Sequence, residues 1–400
     1  MSFFFKFPKL NISVQLLIIL FGTIAFGHFI PEIFQSFFYA MSITLKDFLL
    51  FVLPAVIFSC LFSCLLTFRG GKAVGFMLLL FFIVCVSNYA ATLIAYCIGS
   101  LNLVDVNALT TTSNAGQAKM LLPLWDFEFP KWISNDIALY LGFGFGSLFS
   151  FFPSDRAYQF SLRAKRFVTL LLEKGFIPVL PLFAFGFILK IQFDGMLTQV
   201  IESYLPIMLL IITTYVLYLI FLFALVSNFN FKLWLTYIKN AFPAMLMGVS
   251  TMSSLATMPI TIKSAEKNTG NIDIARTVIP ATVNMHLIGV SMAVPIMAIA
   301  ILTSFGYEVP TLATFARYAI YSILALFSCA GVPGGGIYVM LPLLEEHFGF
   351  SAEMSGLITA LYILFDPAVT VANVLGNSVL VIAIAKISSR FTTKTATVSD

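Results

Sequence analysis

The run Ala330-Gly331-Val332-Pro333-Gly334-Gly335-Gly336, taken with Asp366-Pro367-Ala368-Val369-Thr370-Val371-Ala372-Asn373 further along, decides the fold. The first run lies inside an apolar segment, yet its proline lacks an N–H and its glycines are entropically costly in a helix. A helix broken at membrane depth is the expectation. Irregular backbone is tolerated there only where protein or a watery cavity satisfies it, so a break beside a carboxylate points to a solute site.

The rest of the chain reads as scaffold for that site. Of 400 residues, 60% are hydrophobic and only 10% are charged, with mean hydropathy +0.99. A soluble domain would carry about a quarter of its residues as charges. Apolar windows of roughly 20 residues recur along the length, as helices spanning a hydrocarbon core require. The class is therefore an all-α polytopic membrane protein. The net charge of +4 is spread over short loops and a basic tail, which argues against a nucleic-acid partner. Cys60, Cys64, Cys85, Cys97 and Cys329 sit in apolar segments as small hydrophobes, without His or Cys partners at metal-ligand spacing. His28 and His347 fall at span ends or loops, and no cluster has catalytic spacing, so an enzyme is not expected.

Spans are expected at 12–30, 46–68, 74–98, 136–152, 176–191 and 203–228. A cleaved leader is the alternative for the first, but no small-x-small site ends it and further spans follow. Residues 101–135 read as an external loop, and Gly142, Gly144 and Gly146 suggest close helix packing. The loop that follows carries Arg156, Arg163, Lys165, Arg166 and Lys174. Placing basic loops on the cytoplasmic side makes these spans alternate from an internal N-terminus. If 241–262 crossed, Lys263, Lys267 and Arg276 would fall outside, so that segment should enter and return, with its tip near Ser253-Ser254. Acidic residues at both ends of 312–344 give the same result from the opposite face, with the tip at Val332-Pro333-Gly334. A span at 274–303, interrupted at Asn284-Met285-His286, and one at 357–387 complete about eight transmembrane helices plus two re-entrant hairpins, with both termini cytoplasmic. Paired broken segments of opposite orientation are the mark of a secondary transporter.

These motifs resemble the dicarboxylate/amino acid:cation symporter family, which includes glutamate and neutral amino acid transporters. Ser253-Ser254-Leu255-Ala256-Thr257-Met258-Pro259 is similar to its serine-rich first hairpin tip, and 330–336 to its second. Asn284-Met285-His286-Leu287-Ile288 stands where the family has Asn-Met-Asp-Gly-Thr, and Asp366, Thr370 and Asn373 are in register with its last helix. The resemblance implies an inverted-repeat, elevator-type homotrimer. Residues 1–72 would supply scaffold helices 1–2, 73–100 transport helix 3, and 101–200 the external loop with scaffold helices 4–5. Residues 201–232 would be transport helix 6 and 233–400 the transport core and tail.

The substrate site so implied is Ser253, Ser254, Thr257, Ile288, Val332, Pro333, Gly334, Gly336, Asp366, Val369, Thr370 and Asn373. Hydroxyls and free N–H groups at a half-helix N-terminus can receive a carboxylate, or simply satisfy a turn. Glycine gives the second tip the freedom of a gate, or a packing kink. Asp366 is available for a substrate ammonium, and Pro367 would free the Ile363 carbonyl and loosen that turn.

Departures from the family pattern carry the most information. Val369 stands where acidic-substrate members hold an arginine, and Met252 where some prokaryotic members place it instead. An unpaired buried carboxylate would cost about 3 to 5 kcal/mol, a 100-fold or larger loss, so a neutral amino acid is the expected substrate and an acidic one the alternative. His286 and Asn377 replace aspartates that serve as sodium ligands in the family. Neutral oxygens remain at Ser87, Asn88, Asn284 and Asn373, so the coupling ion is read as Na+ or, through His286, H+. An uncoupled exchanger or channel-like carrier is the reading from another class.

Overall fold

The computed structural model describes residues 12–66, 73–101, 121–127, 129–130, 132–194, 197–327, 329 and 334–396, which contain helices and no strand. The first group of helices is α1 (Ile12–Phe26), α2 (Glu32–Leu66), α4 (Asn135–Phe151), α5 (Asp155–Leu170) and α6 (Leu180–Phe193). Here α2 packs on α4, α5 and α6, and α1 packs on α6. Gly146 makes the α2–α4 contact possible, since a Cβ there would lie 2.7 Å from Leu65 Cδ1. Gly142 also faces α2, whereas Gly144 meets nothing and turns outward, so only two of the three glycines serve the expected packing.

The second group is α3 (Ala73–Ser100), α7 (Leu197–Val226), α8 (Phe231–Thr251), α9 (Ser254–Thr269), α10 (Ile272–Thr282), α11 (Ile288–Ser304), α12 (Leu312–Leu326), α13 (Gly335–Phe348) and α14 (Ala352–Ala396). α11 is its axis. It is apolar all round, buried almost throughout, and packed by α3, α7, α13 and α14, as a helix without a polar face must be. Among the described residues, three segments are long and apolar enough to cross a membrane: Leu78–Ser100, Glu202–Val226 and Ala352–Ser388.

Paired helices flank both expected turns. α8 packs on α9 across a turn at Met252-Ser253, and α12 packs on α13 across residues 327–334. Val332 and Pro333 lie outside the described residues. The expected interruption also falls where placed, with α10 ending at Thr282 and α11 starting at Ile288. Two expectations need correction. The basic stretch after α4 is helical: Ser154 caps α5 through Ala157 N–H, and the heptad-like spacing of Ser161 and Val168 buries one face. α2 starts at Glu32, well before position 46, because Lys46 and Asp47 are carried within the helix rather than ending it. The last span, α14, carries Pro367 within its length.

Candidate functional site

One face of α14 forms the wall of the site. Tyr362, Asp366, Val369, Thr370, Asn373 and Asn377 recur at helical spacing and are all buried. Helix N-termini abut this face at separate heights. The lower is α11, where Gly289 N–H donates to Asn373 Oδ1 at 2.9 Å. A Cβ on Gly289 would lie 2.3 Å from the Val369 carbonyl oxygen, so only glycine permits this approach. Tyr215 of α7 donates to the Gly289 carbonyl at 2.6 Å and fixes the same turn from behind.

The upper contact is α13. Gly334, in the left-handed region at φ 72°, caps α13, and its N–H donates to Asp366 Oδ2 at 2.7 Å. Gly336 follows, and a Cβ there would lie 2.4 Å from Tyr362 Oη and 2.8 Å from Val290 Cγ2. Asp366 is 4% exposed, and no lysine or arginine pairs with it among the described residues. Tyr215, Tyr338 and Tyr362, all buried, lie within electrostatic reach of it.

The first hairpin meets α14 near its own tip, with Gly248 of α8 against Thr370 Cγ2 and Val374 Cγ2. Ser254 and Thr257 are buried, and Ser253 caps α9 through Ala256 N–H at 3.2 Å. Val369 and Met252 are buried apolar side chains at 0% and 3% exposure, so neither position carries a charge into the wall.

Below Asn373, the break between α10 and α11 is laced by amides. Asn88 of α3 donates to Met285 O at 2.7 Å and accepts from Leu287 N–H at 3.2 Å. Asn377 donates to His286 O at 3.0 Å and to Asn373 O at 2.9 Å, and accepts from Thr282 Oγ1 at 2.7 Å. His286 Nε2 lies 2.8 Å from Ser87 Oγ, while His286 Nδ1 and Asn284 Oδ1 are buried with no partner. Ile288 packs on Gly376 rather than on the upper site, since a Cβ at Gly376 would lie 2.6 Å from its Cδ1.

The structure thus brings Asp366 together with Gly334, sets Gly336 against Tyr362 on the same wall, and joins Asn373 and Asn377 to the broken helix. Sequence reasoning missed Tyr215, Tyr338, Tyr362, Gly289 and Thr282. Tyr362 was findable, one turn before Asp366 on its face, and so was Tyr338, one turn into α13. Tyr215 comes from a distant helix, and nothing local marks it.

Helix breaks and helix N-termini set against a buried carboxylate on a long apolar helix are the arrangement found in membrane carriers built on discontinuous helices. The chain belongs to the sodium:dicarboxylate symporter family, whose model matches residues 12–387. It is 30% identical over 161 residues to excitatory amino acid transporter 4 of Mus musculus, covering 38% of this chain and 28% of that protein. It is 35% identical over 138 residues to excitatory amino acid transporter 3 of Oryctolagus cuniculus, covering 34% and 26%. The chain thus spans little more than a quarter of the length of the relatives it matches. The family is one of membrane symporters rather than enzymes.

Proposed function

We propose that this chain is a secondary active transporter that takes up a small neutral amino acid together with a cation, by alternating access between two hairpin gates. The carrying observation is Asp366: a carboxylate 4% exposed, capped by one backbone N–H and paired with no cation among the described residues. Such a group favours a ligand that brings its own positive charge, and a substrate ammonium supplies it. The α-carboxylate would then face the N-terminal end of a half-helix, where the helix dipole favours an anion; α9 at Ser254 and α13 at Gly335 are the candidates. Thr257, Thr370 and Asn373 complete the polar contacts, with Val332, Pro333 and Gly336 in the covering tip.

Buried Val369 and Met252 support the neutral substrate, because a second carboxylate would meet no fixed cation there. The alternative, an excitatory amino acid or dicarboxylate, draws on the family description and on the names of the relatives. The coupling ion is Na+ or H+, the latter through buried His286, the one titratable side chain at the helix break. The packing of α2 chiefly with α4 to α6, against a thinner seam to α13 and from α6 to α14, supports a scaffold and a moving transport unit. Trimeric assembly in a cell membrane with cytoplasmic termini belongs to the same reading.

Counterflow in proteoliposomes tests it. Vesicles loaded with unlabelled alanine, serine or threonine should accumulate labelled alanine in a saturable way, and loading with aspartate should not promote it. Non-saturable flux would favour a channel instead. An inward pH gradient without sodium should drive uptake if His286 carries the coupling proton, and no accumulation there would remove that option.

A further inference from the structure

We propose that Asn88 and Asn377 are ion-specificity residues whose side-chain amides do for the broken helix what a sodium ion would otherwise do, so that sodium is not bound at this break. The inference rests on the transporter reading and narrows its coupling ion. Where a helix is unwound inside a membrane carrier, the freed backbone carbonyls are what coordinate Na+. Here those carbonyls already hold donor hydrogens. Met285 O accepts from Asn88 Nδ2, and His286 O accepts from Asn377 Nδ2. The second hydrogen of the Asn377 amide goes to Asn373 O, bridging the break to the wall of α14.

The oxygens of these amides are engaged as well. Asn88 Oδ1 takes Leu287 N–H, Asn377 Oδ1 takes the Thr282 hydroxyl, and Asn373 Oδ1 takes Gly289 N–H. Ser87 Oγ faces the imidazole of His286. Among the side-chain oxygens open to a cation here, Asn284 Oδ1 alone is buried without a partner. A hard cation takes several oxygen ligands, preferably with anionic ones among them, and a single neutral amide oxygen does not meet that need. An amide hydrogen and a sodium ion satisfy the same carbonyl, but the first is built in and cannot be recruited or released with the solute.

The test is thermal unfolding of the purified full chain in about 0.2 M NaCl against choline chloride of equal strength, without amino acid. The wild-type midpoint should agree within about 1 °C between the salts, whereas Asn377→Asp, which removes the donors and adds a charge, should gain about 3 °C or more in NaCl only. Sodium-selective stabilisation of the wild type would overturn the inference, and so would an Asn377→Asp protein of native helical content that ignores sodium. If that variant does not fold, the wild-type comparison decides alone. A wild type indifferent to sodium that also moves no neutral amino acid would sink the function proposed above and leave this inference standing.

Discussion

The two hairpin tips are closed by different means. At the first, Thr251 Oγ1 and Thr257 Oγ1 lie 3.1 Å apart and both donate to Ser253 O, while Ser253 N–H returns to Thr251 Oγ1 at 3.3 Å. Met252, at φ 51°, makes the reversal inside this hydroxyl knot. The second tip ends in Gly334, which has no side chain with which to cap α13, and its N–H is satisfied by Asp366 of another helix. One end is complete in itself. The other takes its hydrogen bond from Asp366, the carboxylate proposed to hold the substrate ammonium, so whatever occupies that carboxylate acts on that end. This asymmetry is the physical ground for expecting the second of the two proposed gates to answer to substrate and the first to be the stiffer.

The comparison can be broken at several points, with effects that should fall in order. Gly336→Val forces methyls into Tyr362 Oη and Val290, both fully buried, and should cost about 3 kcal/mol with loss of uptake of more than tenfold. Denaturant unfolding and vesicle uptake would check both parts. Val369→Arg puts an unpaired cation into the wall and should lower the unfolding midpoint, with aspartate recovering stability and gaining about tenfold as a competitor against alanine uptake. Thr251→Val removes one strand of the hydroxyl knot without touching the proposed substrate contacts; a loss of about 1 kcal/mol in stability, with uptake kept within a few-fold, is expected for a self-contained tip. Ser250→Ala, exposed and bonded only to its own preceding turn, should change stability by less than about 0.5 kcal/mol and uptake not at all.

Much of this arrangement was legible in the sequence because membranes leave few options. The serine run and the proline and glycine run marked the turns between paired helices, and Asn284-Met285-His286 gave the break to within a residue or two. Asp366 stood out because a lone carboxylate in an apolar helix needs a reason. The amphipathic α5 was hidden because its basic residues read as loop, although Ser161 and Val168 carry the helical period. The tyrosine cluster and the amide lacing were less accessible. They depend on which rotamers and which distant helices meet, as Tyr215 meets Gly289 across the interior, and spacing along the chain does not encode that.

Calorimetric binding of alanine to the wild type and to Asp366→Asn tests the central claim most directly. If the buried carboxylate holds the substrate ammonium, the variant should bind at least about 100-fold more weakly while keeping its helical content, since only the charge is lost. Affinity unchanged within about threefold would contradict the account, because the amino group would then be held somewhere other than Asp366.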